Sequence, residues 1–391
     1  MSQAPKKSRS AKPPRGKGLQ GERLFTASQW QLMWWRFTQH KLAMISMVVL
    51  IVAYLMALFC EFVAPYDSNR YDPHWVLASP MQLHFVDQEG RFHLQPFVYG
   101  LKSRRDLETL AMVVVPDASR TYPVRLFVRG DPYEFWGLFA ADLHLFGITK
   151  STAVRESPED QMLFLFGADE LGRDNLSRII YGGRISLSIG LVGVFLSLIF
   201  GVILGGISGY YGGIPDLIIQ RVIELLRSLP AIPLWLMLAA AMPPTWSSIR
   251  IYFGITIILS LLGWTGLARV VRGRFLALRE EDFIVAARLS NATSMRIILR
   301  HMVPSFASHL IASLTLSIPA MIMAETALSF LGLGLQPPIV SWGVLLQSAQ
   351  NLRSVVLAPW LLMPGLFVVI VVLAFNFMGD GLRDAADPYA I

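Results

Sequence analysis

The sequence predicts an all-α polytopic membrane protein of about six transmembrane helices, with an extracytoplasmic insert of mixed α/β structure after the first helix. Three observations carry that prediction. The 391 residues are 54% hydrophobic and only 16% charged, with a mean hydropathy of +0.50, too apolar for a soluble domain. Apolar runs of about twenty residues recur along the chain, each long enough to cross about 30 Å of hydrocarbon as a helix. Between the first and second runs, residues 66–165 are polar and alternate in character with the period of strands.

Taken in order, residues 1–29 are rich in Lys, Arg, Pro, Ser and Gly. They hold too little apolar surface to fold and are expected to form a disordered basic cytoplasmic arm. Residues 30–65 are expected to hold an interfacial segment and the first span. Trp30, Trp34 and Trp35 with Arg36 and Lys41 form a belt at the head of a span from Leu42 to Val63. No small-residue cleavage site follows that span, so it is expected to be an anchor. In the insert, Gln82 to Val86 and Pro123 to Val128 alternate like strands, and Tyr133, Phe135, Trp136 and Phe139 are expected in its core.

Residues 166–391 carry the remaining spans. The second, Ile185 to Ile207, has Gly201, Gly205 and Gly209 at four-residue spacing, a stripe that lets helix backbones approach closely. Tyr210 to Gly213 makes an inner turn. The third span, Leu217 to Met242, contains Pro230 and Pro233, with Glu224 and Arg227 spaced to pair on one helix face. Pro243 and Pro244 turn the chain outside, and Ile249 to Val271 returns it inward. Ser305 to Met323 crosses outward, the glycines and prolines from Glu325 to Gly343 suit a re-entrant loop, and Pro359 to Phe377 is the last span. Both termini then fall inside.

The charge distribution agrees. The net charge is +7, which on a soluble protein would suggest nucleic acid. Here the excess sits ahead of the first span and again between Arg272 and Arg300, where the positive-inside rule places cytoplasmic Lys and Arg. The one cysteine, Cys60, lies in the first apolar run, so there is neither a disulfide framework nor a thiolate metal site.

The charged island from Arg279 to Pro304 reads as two short helices. Asp282 to Leu289 is the first, with Ala286 and Ala287 leaving the backbone open to a partner. Asn291 stops it, since Asn tolerates the left-handed conformation that closes a helix. Thr293 or Ser294 then caps a second helix, on which Met295, Ile298 and Met302 share a face while Arg296 and Arg300 stay wet. Pro304 ends or kinks it. A helix, a sharp turn and a helix at the membrane surface suit docking better than chemistry.

This island resembles the EAA loop of ABC-importer permeases of the peptide and nickel branch. The match is carried by Asp282, Ala286, Ala287, Arg288, Ala292, Arg296, Ile297, Ile298, Arg300, His301 and Pro304; Val285 replaces the motif's glutamate and Asn291 its glycine. The stretch Phe166 to Ser186, with Asp169, Gly172, Arg173 and Asp174, is similar to the family's segment before the second span. Glu325 to Gly334, Ser341 to Gly343 and Asn376 to Pro388 are similar to further family stretches. The resemblance covers most of Leu42 to Pro388 and looks like the longer, oligopeptide-type form.

The resemblance implies a transport subunit rather than an enzyme, working with a second permease, two cytoplasmic ABC ATPases and an extracytoplasmic solute-binding protein in a bacterial inner membrane. It implies peptide transport first; nickel, opines, oligosaccharides and glutathione-like solutes are served by similar permeases. It makes Asp282, Ala286, Ala287, Arg288, Asn291, Arg296, Arg300, His301 and Pro304 candidates for the ATPase-coupling loop. Asp169, Arg173, Asp174 and Glu325 are candidates for the substrate path or for docking the binding protein, Glu325 being equally suited to a structural ion pair. No cofactor is expected in this chain, ATP and magnesium belonging to the ATPases. The residues agree: no phosphate-cradling Gly-x-x-x-x-Gly-Lys stretch exists, and Thr149-Lys150-Ser151 lacks the glycines. The seven histidines are scattered, and Asp169 and Asp174 have no nucleophile grouped with them. A stand-alone secondary transporter would need carboxylates near mid-membrane, and none is evident.

Overall fold

A computed structural model describes residues 29–105, 112–148, 161–243 and 245–386. The basic arm, Thr149 to Ser151, Pro244 and the Asp387-Pro388 pair lie outside the described residues. Helix α1 (Gln29–Gln39) precedes the first span, α2 (Lys41–Leu58), whose start is capped by His40 accepting from the Ala43 backbone N–H. The short helix α3 (Cys60–Val63) follows a break at Phe59.

The insert differs from expectation. Among its described residues there is no α-helix, only a 3₁₀ turn at Pro73–Trp75 and four antiparallel strands in sequential order: β1 (His84–Val86), β2 (Phe92–Arg105), β3 (Met112–Phe135) and β4 (Phe139–Ile148). The described part of the insert is thus β rather than mixed α/β, its apolar residues alternating with the period of strands. Of the two predicted strand segments, Pro123 to Val128 lies wholly in β3, and Gln82 to Val86 is strand from His84 on. The long β3 pairs with β2 through its first half and with β4 through its second. The core is Tyr66, Trp75, Met81, Val98, Leu101 and Met162 to Phe164. Tyr133, Phe135, Trp136 and Phe139 are not part of it: they occupy the β3–β4 tip, and Trp136 and Phe139 are exposed.

Among the described residues, five helices are long and apolar enough to cross a membrane: α2, α4 (Asn175–Tyr211), α7 (Ser248–Leu278), α11 (Ala307–Phe330) and the last, Pro359–Ala386. The predicted third span is instead a pair, α5 (Gly213–Ser228) and α6 (Ala231–Ala240), bent by 88°; counted as one crossing it makes six. Pro230 sits in the break, and α6 alone, about 15 Å long, cannot span. Glu224 pairs with Arg221 at 2.7 Å, on the exposed face of α5, and not with Arg227.

Two helices overrun their predicted ends. α4 begins ten residues before Ile185, because Asp174 caps it by accepting from the Ser177 backbone N–H at 2.7 Å. α11 continues to Phe330, so Glu325 lies in a helix and not in a re-entrant loop. The chain turns at Gly332 and passes through two short helices, α12 (Trp342–Gln347) and α13 (Leu352–Leu357), into a 3₁₀ turn and α14 (Met363–Ala386). The glycine stripe behaves as read. A Cβ on Gly205 would sit 2.5 Å from the Ala268 carbonyl oxygen, and one on Gly209 2.8 Å from that of Arg272, so α4 and α7 meet backbone to backbone.

Candidate functional site

Between α7 and α11 the charged island folds as helix, turn, helix. Helix α8 (Asp282–Leu289) starts after Glu281 and places Asp282 in its first turn, where the helix dipole favours a carboxylate. Asn291 takes φ +59°. Around it the Ala292 N–H donates to the Ala287 carbonyl (3.1 Å) and the Asn291 N–H to the Arg288 carbonyl (2.9 Å). These are the two bonds of a Schellman ending, and Ala287 and Ala292 make the apolar contact that accompanies it. Thr293 then caps α9 (Ser294–Ile297) by accepting from the Arg296 N–H.

The chain widens into a π-helical turn, Ile298–Met302, and a last helical turn α10 (Val303–Ser305) contains Pro304. The break before α11 falls at Phe306, not at Pro304, because a proline in the first turn forfeits no helical hydrogen bond.

That widened turn corrects the predicted face. Ile284, Ile297 and Met302 are buried among Val271, Phe275, Phe306 and Leu310 at the ends of α7 and α11, whereas Met295 is exposed. Ile297 and Met302 are five residues apart, the spacing that a π turn aligns and an α-helix does not. The opposite face of the loop carries Phe283, Val285, Leu289, Met295 and Leu299, all exposed, with Leu289 84% accessible. Ala286, Arg296, Arg300 and Pro304 are exposed as well, while Ala287 and His301 are half-buried. The Arg288 guanidinium lies 5.3 Å from the Tyr210 ring centre at the end of α4, fixing the loop sideways. The neighbouring Asp216 and Arg272 form a two-pronged pair, both contacts 2.6 Å, that ties α5 to α7.

Of the remaining predicted residues, Asp169, Arg173 and Asp174 lie at the far end of α4, whose 37 residues separate them from the island by about 55 Å, and Glu325 lies beside Ser186, further along that helix. Asp169 is buried and accepts from the backbone N–H groups of Leu171 and Arg173 (both 2.9 Å), from Arg173 Nε (2.8 Å) and from Arg178. Gly172 closes this turn at φ +73°, where a Cβ would collide with the Asp72 carbonyl. Asp174 is also buried; burial pushes its carboxyl up to about 7, against the Ser177 N–H and hydroxyl that hold it down. Rather than an open charged ledge, these residues are a buried joint between the insert and the spans, in which Asp174 Oδ1 and Arg178 Nε have no hydrogen-bond partner among the described residues. Glu325 is fully buried and accepts hydroxyl hydrogen bonds from Ser341 (2.7 Å), Ser329 (2.8 Å) and Ser186 (3.2 Å). The ion pair considered for it is not among its contacts.

One feature escaped the sequence. A cavity of about 340 Å³ opens between α4, α6, α7 and α11, lined by Ser197, Trp235, Leu259, Gly263, Ser317 and Met321 among others. Both Ser197 and Trp235 contribute to its lining, and Ser197 Oγ and Trp235 Nε1 are buried without a hydrogen-bond partner among the described residues. In an apolar run a lone Ser or Trp carries no signal of its own; only the helix crossing brings the two together.

Residues 201–390 match the family model of the binding-protein-dependent transport system inner membrane component. Residues 28–80 match that of the N-terminal TM domain of oligopeptide transport permease C. The chain is 38% identical over 248 residues to a dipeptide transport system permease protein of Bacillus subtilis, covering 62% of this chain and 75% of that one. It is 40% identical over 233 residues to an oligopeptide transport system permease protein of Haemophilus influenzae, covering 59% and 72%. A dipeptide transport system permease protein of Lactococcus lactis subsp. cremoris is 31% identical over 368 residues, 93% of this chain and 91% of that one. With its apolar helices and its charged loop between two of them, the chain belongs to the family of binding-protein-dependent transport system inner-membrane permeases, as a transport subunit and not an enzyme.

Proposed function

We propose that the chain is the permease of an ATP-driven importer of dipeptides or oligopeptides, the solutes in its relatives' names, and that Arg279 to Pro304 is the dock for an ABC ATPase. The observation that carries this reading is the two-sided loop: Ile284, Ile297 and Met302 root it in the spans, while Phe283, Val285, Leu289, Met295 and Leu299 face outward. A loop so rooted transmits a push on its outer face directly to α7 and α11. ATP closure of two ATPases would draw the loops of two permeases together and tilt the spans between inward- and outward-facing states. ATP does so only through its different affinity for those states.

The same reading divides the chain into a basic cytoplasmic arm (1–29), a first span with its interfacial helix (30–65), an extracytoplasmic insert (66–165) and a permease core (166–391). It places both termini in the cytoplasm of a bacterial cell, a related second permease alongside, and a solute-binding protein on the outer face. The cavity lined by Ser197 and Trp235 is then part of the solute path, its uncharged wall suited to a solute of low net charge.

The test is affinity capture of the tagged chain in mild detergent, followed by mass spectrometry and uptake assays. The unaltered chain is expected to bring an ABC ATPase, a second permease and a peptide-loaded binding protein. Leu289→Glu, at an exposed position, is expected to lose the ATPase and uptake while keeping insertion and thermal stability. ATPase capture unchanged in both Leu289→Glu and Ala286→Trp would remove this loop as the dock.

A further inference from the structure

The β3–β4 hairpin ends in Phe135 to Ala141, FWGLFAA, seven residues without a charge. At its tip Trp136, Leu138 and Phe139 are exposed, Leu138 by 80%, and Phe127, further back on β3, is exposed too. Water is a poor neighbour for such a tip, and the insert's own core lies elsewhere.

The hairpin is attached to the end of the first span. Trp136 Nε1 donates to the carbonyl of Leu58, the last residue of α2, at 3.0 Å. Phe135 stacks on Phe59 with ring centres 5.8 Å apart, and Phe127 meets Phe62 at 6.2 Å. Phe127 and Trp136 hold φ +55° and +52°, conformations that bulky residues adopt only at a cost, and both rings lie against this segment.

The span itself sets the height. Its 18 residues make about 27 Å of helix, so Leu58 lies at the edge of about 30 Å of hydrocarbon. The exposed stripe Ile45, Val48, Val52, Leu55, Leu58 and Phe59 faces lipid along that length, and the hairpin tip continues it. The polar groups at the same level are those of a headgroup layer. Arg184 lies 4.5 Å from the Trp136 ring centre, bonds the Ala57 carbonyl and pairs with Glu61. A Trp and an Arg at one height form the pairing found where spans leave the hydrocarbon.

From this continuity we infer that the β3–β4 tip is seated in the lipid headgroup layer, on the membrane face where the first span ends. Its partner is the bilayer. The hairpin pins the insert to the membrane surface, so the insert moves with the first span and does not swing free of it. The assignment holds whichever side of the membrane that face proves to be.

The test is spin-label accessibility on the full chain in phospholipid nanodiscs. Cys60 is buried, so the unsubstituted chain is the labelling blank. Labels are placed at Leu138→Cys, at Ile51→Cys on the lipid face of the span, and at Leu94→Cys, an exposed apolar position on β2. The Leu138 label is expected to fall between the two references: more relaxed by oxygen than Leu94, and several-fold less accessible than Leu94 to a water-soluble nickel chelate. A Leu138 label as open to nickel as Leu94 overturns the assignment, and so does one screened from both reagents, which would mean that protein covers the tip.

Discussion

At the scale of the residue, Asn291 illustrates how one side chain can stand in for another. The turn between α8 and α9 demands a left-handed residue, and Asn supplies it where the family pattern has Gly. Asn291→Gly is expected to be nearly neutral in thermal unfolding in detergent. Asn291→Val is expected to cost about 1–3 kcal/mol, since a β-branched residue resists that conformation. Asp174 gives a pH dependence. Its folded-state carboxyl sits near 7, above the usual 3.8, so its contribution is fully present below about 4 and is lost as pH rises through about 7. Glu61 shifts the other way: burial raises it, but the Arg184 contact and other hydrogen bonds outweigh burial and hold it below the ordinary 4.5, so it weakens the fold only in acid. Between pH 5 and 8 the unfolding temperature should therefore fall with pH through Asp174, and Asp174→Asn should flatten that slope.

At the scale of the element, packing reverses an intrinsic preference. Gly→Ala inside a helix ordinarily stabilises by about 1 kcal/mol. At Gly273 a Cβ meets nothing within 4 Å, and Gly273→Ala should be neutral or stabilising. At Gly205 it would meet the Ala268 backbone at 2.5 Å, so Gly205→Ala must push α4 from α7 and should lower the folded yield in size-exclusion chromatography. The glycine stripe was legible because its four-residue spacing is the helix repeat itself. The buried face of the charged island was legible only in part: α-helical spacing named Met302, which is buried, but also Met295, which is exposed, and the π turn brings Ile297 in beside Met302. The Glu224 and Arg227 spacing failed for a related reason, since Arg221 offered Glu224 an equally good partner one turn back.

At the scale of the whole molecule, the chain is built around α4. One end is capped by Asp174 in the joint with the insert, and the other, at Tyr210, meets the Arg288 guanidinium of the coupling loop. The two groups of predicted site residues are thus mechanically connected ends of one helix, not one site. Disrupting the joint should impair transport without releasing the ATPase. Uptake and ATPase capture measured together on Asp169→Asn check this: capture is expected to persist while uptake falls, and loss of both would place the joint in folding alone. The number of crossings also belongs to this scale. Hydropathy gave six runs, and the structure bends the third at Pro230 by 88°, which composition cannot foresee because both halves are apolar enough to join.

By itself the sequence determined the membrane class, the apolar spans, the strand character of the insert, the glycine seam and the helix-turn-helix of the charged island with its left-handed Asn. Each of these is written in local periodicity or in a single residue's backbone preference, and so is present before any long-range contact forms. Tertiary structure alone decided the rest. It chose the π register that roots the loop, paired Asp216 with Arg272, and brought Ser186 and Ser341 from other elements to join Ser329, one turn away, around Glu325. It also brought Ser197 and Trp235 to one cavity and laid an aromatic hairpin tip against the end of the first span. Those outcomes depend on which groups meet across helix crossings, where a buried polar atom must find a partner and an apolar surface must find cover, and spacing along the chain does not encode either.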